Sequence, residues 1–418
     1  MNTITGFRTK AVASAMLLTA AIAAAAPTDA NAGTNNVGFN TIPLTITNKT
    51  NYDGPLYVYA WGLGSTANTD TWYQVTNASG DVSTFSYTPT YIDVGFSIGP
   101  GQTTTIQMPQ LQAVVGTTGA PSTPTGWTAG DPNLSTIFDW FEYSWEPEMT
   151  NNGVTTDPFL NGNTTQVDML GLPMTLTFNG DDKGPTYKPG YSQTRGFKKL
   201  TTRPDILAAF KKAGKPFSKL VQHPTAEIPL RVLSPYNGIA YGVFPKNQMK
   251  KYIKAVWKKY QTGGRSGMIA STTAGTPAGV PAITYKFEGK VKGKKLTFDR
   301  VYPSPKIESF ATFRRPSTLQ AYMGWLPSQT YPPKSAKAAQ AAALGTFLQA
   351  GLMRTTIKAK KNISTCLGAK AYYKKKPVNN YSKIIHEYAL KHKAYGFGYD
   401  DMCGQASDMQ VFNPTSVS

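Results

Sequence analysis

Cysteine and histidine are scarce in this chain: 418 residues hold two of the first and three of the second. Two thiols exclude a disulfide-dense scaffold and any cysteine-rich zinc or iron–sulfur module. His223, His386 and His392 are singly placed, and the last two stand six apart, off a common helix face. No metal or cofactor is expected. Charge is sparse too: 16% of residues are charged, against 38 Gly and 30 Pro. That profile argues against a helical bundle, a coiled coil or a disordered tail. Beyond the N-terminal segment no apolar run is long enough to span a membrane, which takes about 20 residues.

The chain opens as an export signal does. Arg8 and Lys10 precede an alanine-rich stretch from Ala11 to Ala26, Pro27 breaks it, and Ala30-Asn31-Ala32 offers small residues for cleavage. Residues 1–32 therefore read as a signal peptide, and the mature chain as secreted, extracellular or periplasmic. In an oxidising compartment the two thiols, Cys366 and Cys403, are expected to be joined.

The charge that is present is unevenly shared. Residues 1–190 carry 5 Lys+Arg against 14 Asp+Glu, a balance of −9, and residues 191–418 carry 38 against 9, a balance of +29. The front half alternates β-branched and polar residues, as in Ile42 to Thr47 and Pro55 to Trp61, with turn residues between runs: a β-barrel or sandwich signature. Gly116 to Pro132 and Gly263 to Pro281 read as loops. Past residue 200 the period becomes helical over Lys246–Tyr260, Ala336–Met353 and Val378–Lys391, with strand-like runs between. The fold class is therefore mainly β plus α/β, without the regular alternation of a Rossmann or TIM fold. A barrel domain spans 33–190, joined by a C-terminal strand at about 394–418, for which Ala394 to Tyr399 is the strand candidate, and a basic mixed α/β domain spans 191–393. A monomer is expected.

Two carboxylates stand in strand-like runs, Glu142 within Phe138-Asp139-Trp140-Phe141-Glu142-Tyr143 and Asp168 within Thr164-Thr165-Gln166-Val167-Asp168-Met169. An acid flanked by aromatics is partly desolvated and kept protonated, whereas one flanked by hydroxyls stays ionised. Such a pair is the minimum equipment for glycoside hydrolysis, but paired acids on strands are commonly structural. If 138–145 is a strand, Trp140 and Trp145 face opposite sides.

These motifs, with Ser97 to Ile106, Val232-Leu233-Ser234-Pro235, Tyr252 to Tyr260 and Lys393 to Asp401, resemble glycoside hydrolase family 64. Those are bacterial endo-β-1,3-glucanases of the laminaripentaose-producing type, related to thaumatin-like proteins. The resemblance implies a thaumatin-like barrel and a mixed α/β domain forming a crescent with a wide groove. It also implies an inverting enzyme, with Glu142 as general acid and Asp168 as general base. Trp140, Tyr143, Ser144, Asn163 and Thr165 would bind β-1,3-glucan. Asp139 stands where the family usually has Asn, and Glu146 to Pro158 is an insertion. The competing expectation is a glucan-binding or antifungal protein that uses the same cleft without turnover. Neutral glucan offers no counter-charge to the basic half, so an acidic envelope or cell-surface polymer is a second expected partner. No base-stacking module accompanies the lysines, so no specific nucleic acid is expected.

Overall fold

The computed structural model describes residues 40–418, apart from 51–52, 65–71, 76–78, 80–81, 85–95, 110, 119–135, 147, 152–153, 183–185, 224–228, 262–267, 275–282, 327–335 and 360–361. The signal-peptide reading and much of both loop readings lie outside these residues. The protein is mostly β. Its described residues fall into two compact units, one of 40–237, 385–395 and 406–418, the other of 238–384 and 396–405.

The first unit is built on a 12-stranded sheet. Its main path runs Lys188–Gly196, Thr175–Asp182, Met409–Val417, Phe159–Thr164, Asp139–Glu146, Leu111–Thr118, Leu56–Gly64, Trp72–Val75, Val82–Thr84. Thr41–Thr47 pairs parallel with Met409–Val417 and antiparallel with Thr103–Pro109. Among the described side chains, one core holds Ile42, Leu44, Val58, Ile106, Phe141, Tyr143, Trp145, Leu160, Phe178, Val411 and Val417. The strand that enters the sheet last is Met409–Val417. Ala394 to Tyr399 is not a strand: of these residues only Tyr395 makes a bridge, to Thr165.

The division between units falls at Asn237, well past the change of period near residue 200. The reason is a small second sheet, in which Arg231–Leu233 pairs with both Met169–Leu170 and Val221–Gln222. That pairing binds the segment 200–237, including the helix Arg203–Lys212, to the first unit. Thr202 and Asp205 cap this helix reciprocally, side chain to backbone in both directions.

The second unit has a four-stranded antiparallel sheet in sequence order: Met268–Ala274, Ile283–Lys292, Lys295–Tyr302, Ile307–Arg314. Its first strand lies where a loop was expected. Phe287, Val291, Leu296, Phe298, Phe310 and Phe313 are buried, and the helix Ala336–Met353 packs against the first and last strands. The helix Lys250–Lys259 buries Tyr252, Ile253, Val256 and Trp257 and exposes Lys250, Lys251, Lys254 and Lys258. Arg354 and Asp400 form a buried ion pair at 2.8 Å, and the Asp400 carboxylate also accepts the Gly396 N–H. Cys366 and Cys403 are joined by a disulfide, Cα–Cα 5.5 Å. No described helix is long and apolar enough to cross a membrane.

Candidate active site

The strand Asp139–Glu146 alternates strictly, and its parity decides what each residue can do. Asp139, Phe141, Tyr143 and Trp145 point inward; Trp140, Glu142, Ser144 and Glu146 are half-buried on the other face. Register places Asn163 opposite Glu142, Asn161 opposite Ser144 and Phe159 opposite Glu146. Phe412, on the next strand, pairs with Phe159, their ring centroids 6.3 Å apart. One face of the sheet thus collects a carboxyl pair on the same strand, two asparagine amides and aromatic rings. Ser144 donates to Glu146 Oε1 at 2.7 Å.

Glu142 keeps a solvent-accessible edge, yet the protein packed around its carboxyl removes most of its hydration. Burial first, then the charge of Asp168, push its pKa up to about 7, against a hydrogen bond from the Asn163 side chain. Asp168 is therefore near enough for its charge to be felt at Glu142. Asp168 lies in the turn between the strands Phe159–Thr164 and Met169–Leu170. Its carbonyl accepts the Ser234 N–H and the Asn237 Nδ2–H, each at 2.9 Å, and its Oδ1 accepts from the same Asn237 amide at 3.2 Å. The Ser234-to-Asn237 segment, at the end of the small sheet, is what holds this acid in place. Sequence reasoning gave Asn237 no part. Its only signal was a polar residue just beyond the Val232-to-Pro235 motif.

A second missed element lies beneath. Asp139 is fully buried, and its carboxylate accepts the backbone N–H groups of Trp140, Gly171 and Leu172 at 2.9, 2.9 and 3.0 Å. This clamp ties the start of the Glu142 strand to the segment that follows Asp168. Burial pushes the Asp139 pKa up to about 7, opposed by those three donors and by the Arg231 charge. Gly171 permits the approach: a Cβ there would lie 1.9 Å from the Phe138 carbonyl oxygen. The Arg231 guanidinium sits 4.3 Å above the Phe138 ring, which in turn stacks with Trp140 at 6.0 Å.

Two expected sugar contacts are corrected. Tyr143 is 1% exposed and belongs to the core; its hydroxyl donates to the Pro109 carbonyl at 2.9 Å. One residue from Glu142 on a strand, it must face the opposite side. Thr165 is also buried, and its hydroxyl accepts the Val167 N–H, so it shapes the turn before Asp168. Trp140, Ser144 and Asn163 do share the Glu142 face. Asn163 Oδ1 is buried with no partner among the described residues, so one acceptor of that face is unspent. The insertion after Glu146 forms a short hairpin, Met149–Asn151 with Val154–Thr156.

A mostly β scaffold with a raised carboxyl on a polar and aromatic sheet face, and a second acid in a nearby turn that contributes to the shift, has the equipment of a carbohydrate-active class. Residues 40–418 match the glycoside hydrolase family 64 model, described as beta-1,3-glucanase, and the chain belongs to that family. It is 27% identical over 404 residues to proteins of Cellulosimicrobium cellulans and of Arthrobacter sp. (strain YCWD3), each named glucan endo-1,3-beta-glucosidase. That match covers 90% of this chain and 64% of theirs. Among solved structures it is similar to a laminaripentaose-producing beta-1,3-glucanase in complex with laminaritetraose, at 25% identity and a TM-score of 0.71, over 90% of this chain and 97% of that one. A beta-1,3-glucanase domain from Clostridium beijerinckii shares the fold at 19% identity and a TM-score of 0.62, over 92% and 98%.

Proposed function

We propose that this protein is a secreted endo-β-1,3-glucanase that cleaves with inversion and releases short oligosaccharides. The observation that carries the reading is Glu142, on a polar and aromatic sheet face and raised to about 7 by burial and by the charge of Asp168. A carboxyl still protonated near neutrality can donate to the leaving glycosidic oxygen as the bond breaks. Asp168 then takes a proton from the water that attacks the anomeric carbon from the opposite side, leaving one new hydroxyl on each fragment. The Asn237 amide on Asp168 Oδ1 fixes the orientation of the base. Trp140 offers a ring to a pyranose face, and Ser144 and Asn163 offer hydrogen bonds to its hydroxyls. The thaumatin-like barrel and the crescent with a wide groove, both implied by the family resemblance, belong to the same reading.

The test is product analysis on laminarin and curdlan. Wild-type protein should release short β-1,3-oligosaccharides, and Glu142→Gln or Asp168→Asn should each lower kcat about 10²–10⁴-fold. Proton NMR of the first product should show the inverted anomer. Binding of glucan without new reducing ends would assign the cleft to a binder; a retained anomer would overturn the roles given to the two acids.

A further inference from the structure

The exposed face of the four-stranded sheet in the second unit carries an arrangement that sheets ordinarily avoid. Lys292 pairs directly with Lys295, and Lys295 pairs directly with Arg314, so one rung across three strands is entirely cationic. All three side chains are exposed. Lys290 stands on the same face one rung inward, opposite Thr297, and Lys294 is exposed in the connecting turn. Like charges directly opposite on neighbouring strands, about 4.8 Å apart, destabilise a sheet. None of these five cations has a carboxylate partner among the described residues. At the far end of the same sheet, by contrast, Lys306 is held between Asp299 and Glu308. The turn itself needs only Gly293, with φ of 60°, and makes no demand for lysine around it.

We infer that this rung is a docking surface for an acidic polysaccharide, one bearing a carboxylate at regular intervals. Charge complementarity supplies the attraction, and a bound polyanion would relieve the repulsion that the free sheet bears. The surface is a row of cations at strand spacing, which suits an extended, repeating anion. Beside it Thr297 and Thr312, hydrogen-bonded to each other at 3.2 Å, offer hydroxyls to a sugar chain. The rung and its neighbour hold no aromatic ring on which a base could stack and no exposed aliphatic side chain to enter a lipid surface. The rung belongs to the second unit and the carboxyl pair to the first, and the inference does not depend on the hydrolytic reading.

Retention of the full chain on immobilised polygalacturonate tests this, with neutral curdlan as the second matrix. Two triple variants of equal charge change are compared: Lys292→Gln/Lys295→Gln/Arg314→Gln in the rung, and Lys250→Gln/Lys254→Gln/Lys258→Gln on the exposed helix face. The rung triple should bind polygalacturonate at least tenfold more weakly at low salt, keep its adsorption to curdlan and melt no lower than wild type. The helix triple should lose less than threefold. Equal losses for both triples would mean that net charge alone drives binding, and an undiminished rung triple would remove the site; either overturns the inference. Tighter binding to single-stranded DNA or to anionic vesicles, lost in the same triple, would also overturn it, in favour of that partner. Laminarin turnover, measured separately, reports on the glucanase reading without bearing on this one.

Discussion

Glu142 and Asp139 are three residues apart, and both carboxyls are raised to about 7, but their neighbours give them different work. Glu142 feels the charge of Asp168 and accepts from the Asn163 side chain; Asp139 accepts from three backbone N–H groups. If Glu142 is the proton donor, kcat/KM on laminarin should fall as pH rises through about 7, as its proton is lost. In Asp168→Asn the repulsion is gone, so the Glu142 carboxyl should titrate lower, readable by carbon NMR of labelled glutamate; an unmoved titration would separate the two acids. For both groups the folded pKa lies above the unfolded one, so the folded state holds more protons between about 4 and 7. Stability should therefore decline as pH rises through that window. Asp139→Ala should cost about 2–4 kcal/mol in denaturant unfolding, because three backbone donors, one buried and two part-buried, lose their acceptor. Asp139→Asn, which keeps one oxygen for Gly171 and Leu172, should cost about 1 kcal/mol. Equal losses for the two variants would contradict the clamp.

Parity along the strand Asp139–Glu146 was legible in the sequence, and with it the separation of Trp140 from Trp145 onto opposite faces. The same parity excludes Tyr143 from the Glu142 face; the family motif had joined the two because it reads along the chain, not across the pleat. The helix Lys250–Lys259 was equally legible, since its lysine and apolar stripes repeat at helical spacing. The strand Met268–Ala274 was not: Gly, Ser and Thr around it carry turn signals, and only its partner Ile283–Lys292 makes it a strand. Nor could spacing alone reveal that Asn237 reaches Asp168, 69 positions away. The Cys366–Cys403 link closes a separation of 37 residues. Replacing both cysteines by serine should lower unfolding stability by about 3–4 kcal/mol in the chain-entropy view, measured by the urea midpoint in the absence of reductant. An unchanged midpoint would show that the link constrains nothing that unfolding releases.

Across the whole molecule, charge and proposed chemistry occupy different stretches of chain. The carboxyl pair lies before residue 191, where the balance is −9, and the basic rung lies in the remainder, where it is +29. An uncharged sugar and two close carboxyls leave little for dissolved ions to screen, since the Debye length at physiological salt is about 8 Å. Turnover on soluble laminarin should change less than twofold between 20 mM and 500 mM sodium chloride; a steep decline would bring the lysines into the reaction. The position of Met409–Val417 has a further consequence, for biosynthesis. This strand lies between Thr175–Asp182 and Phe159–Thr164 and also pairs with Thr41–Thr47, so three partners wait for it. During synthesis the sheet would keep an open edge beside the Phe159–Thr164 strand until this later segment arrives. Such an edge invites pairing with a neighbouring nascent chain. The sheet face that carries Glu142 would therefore be complete only once Met409–Val417 has been made and has entered its place.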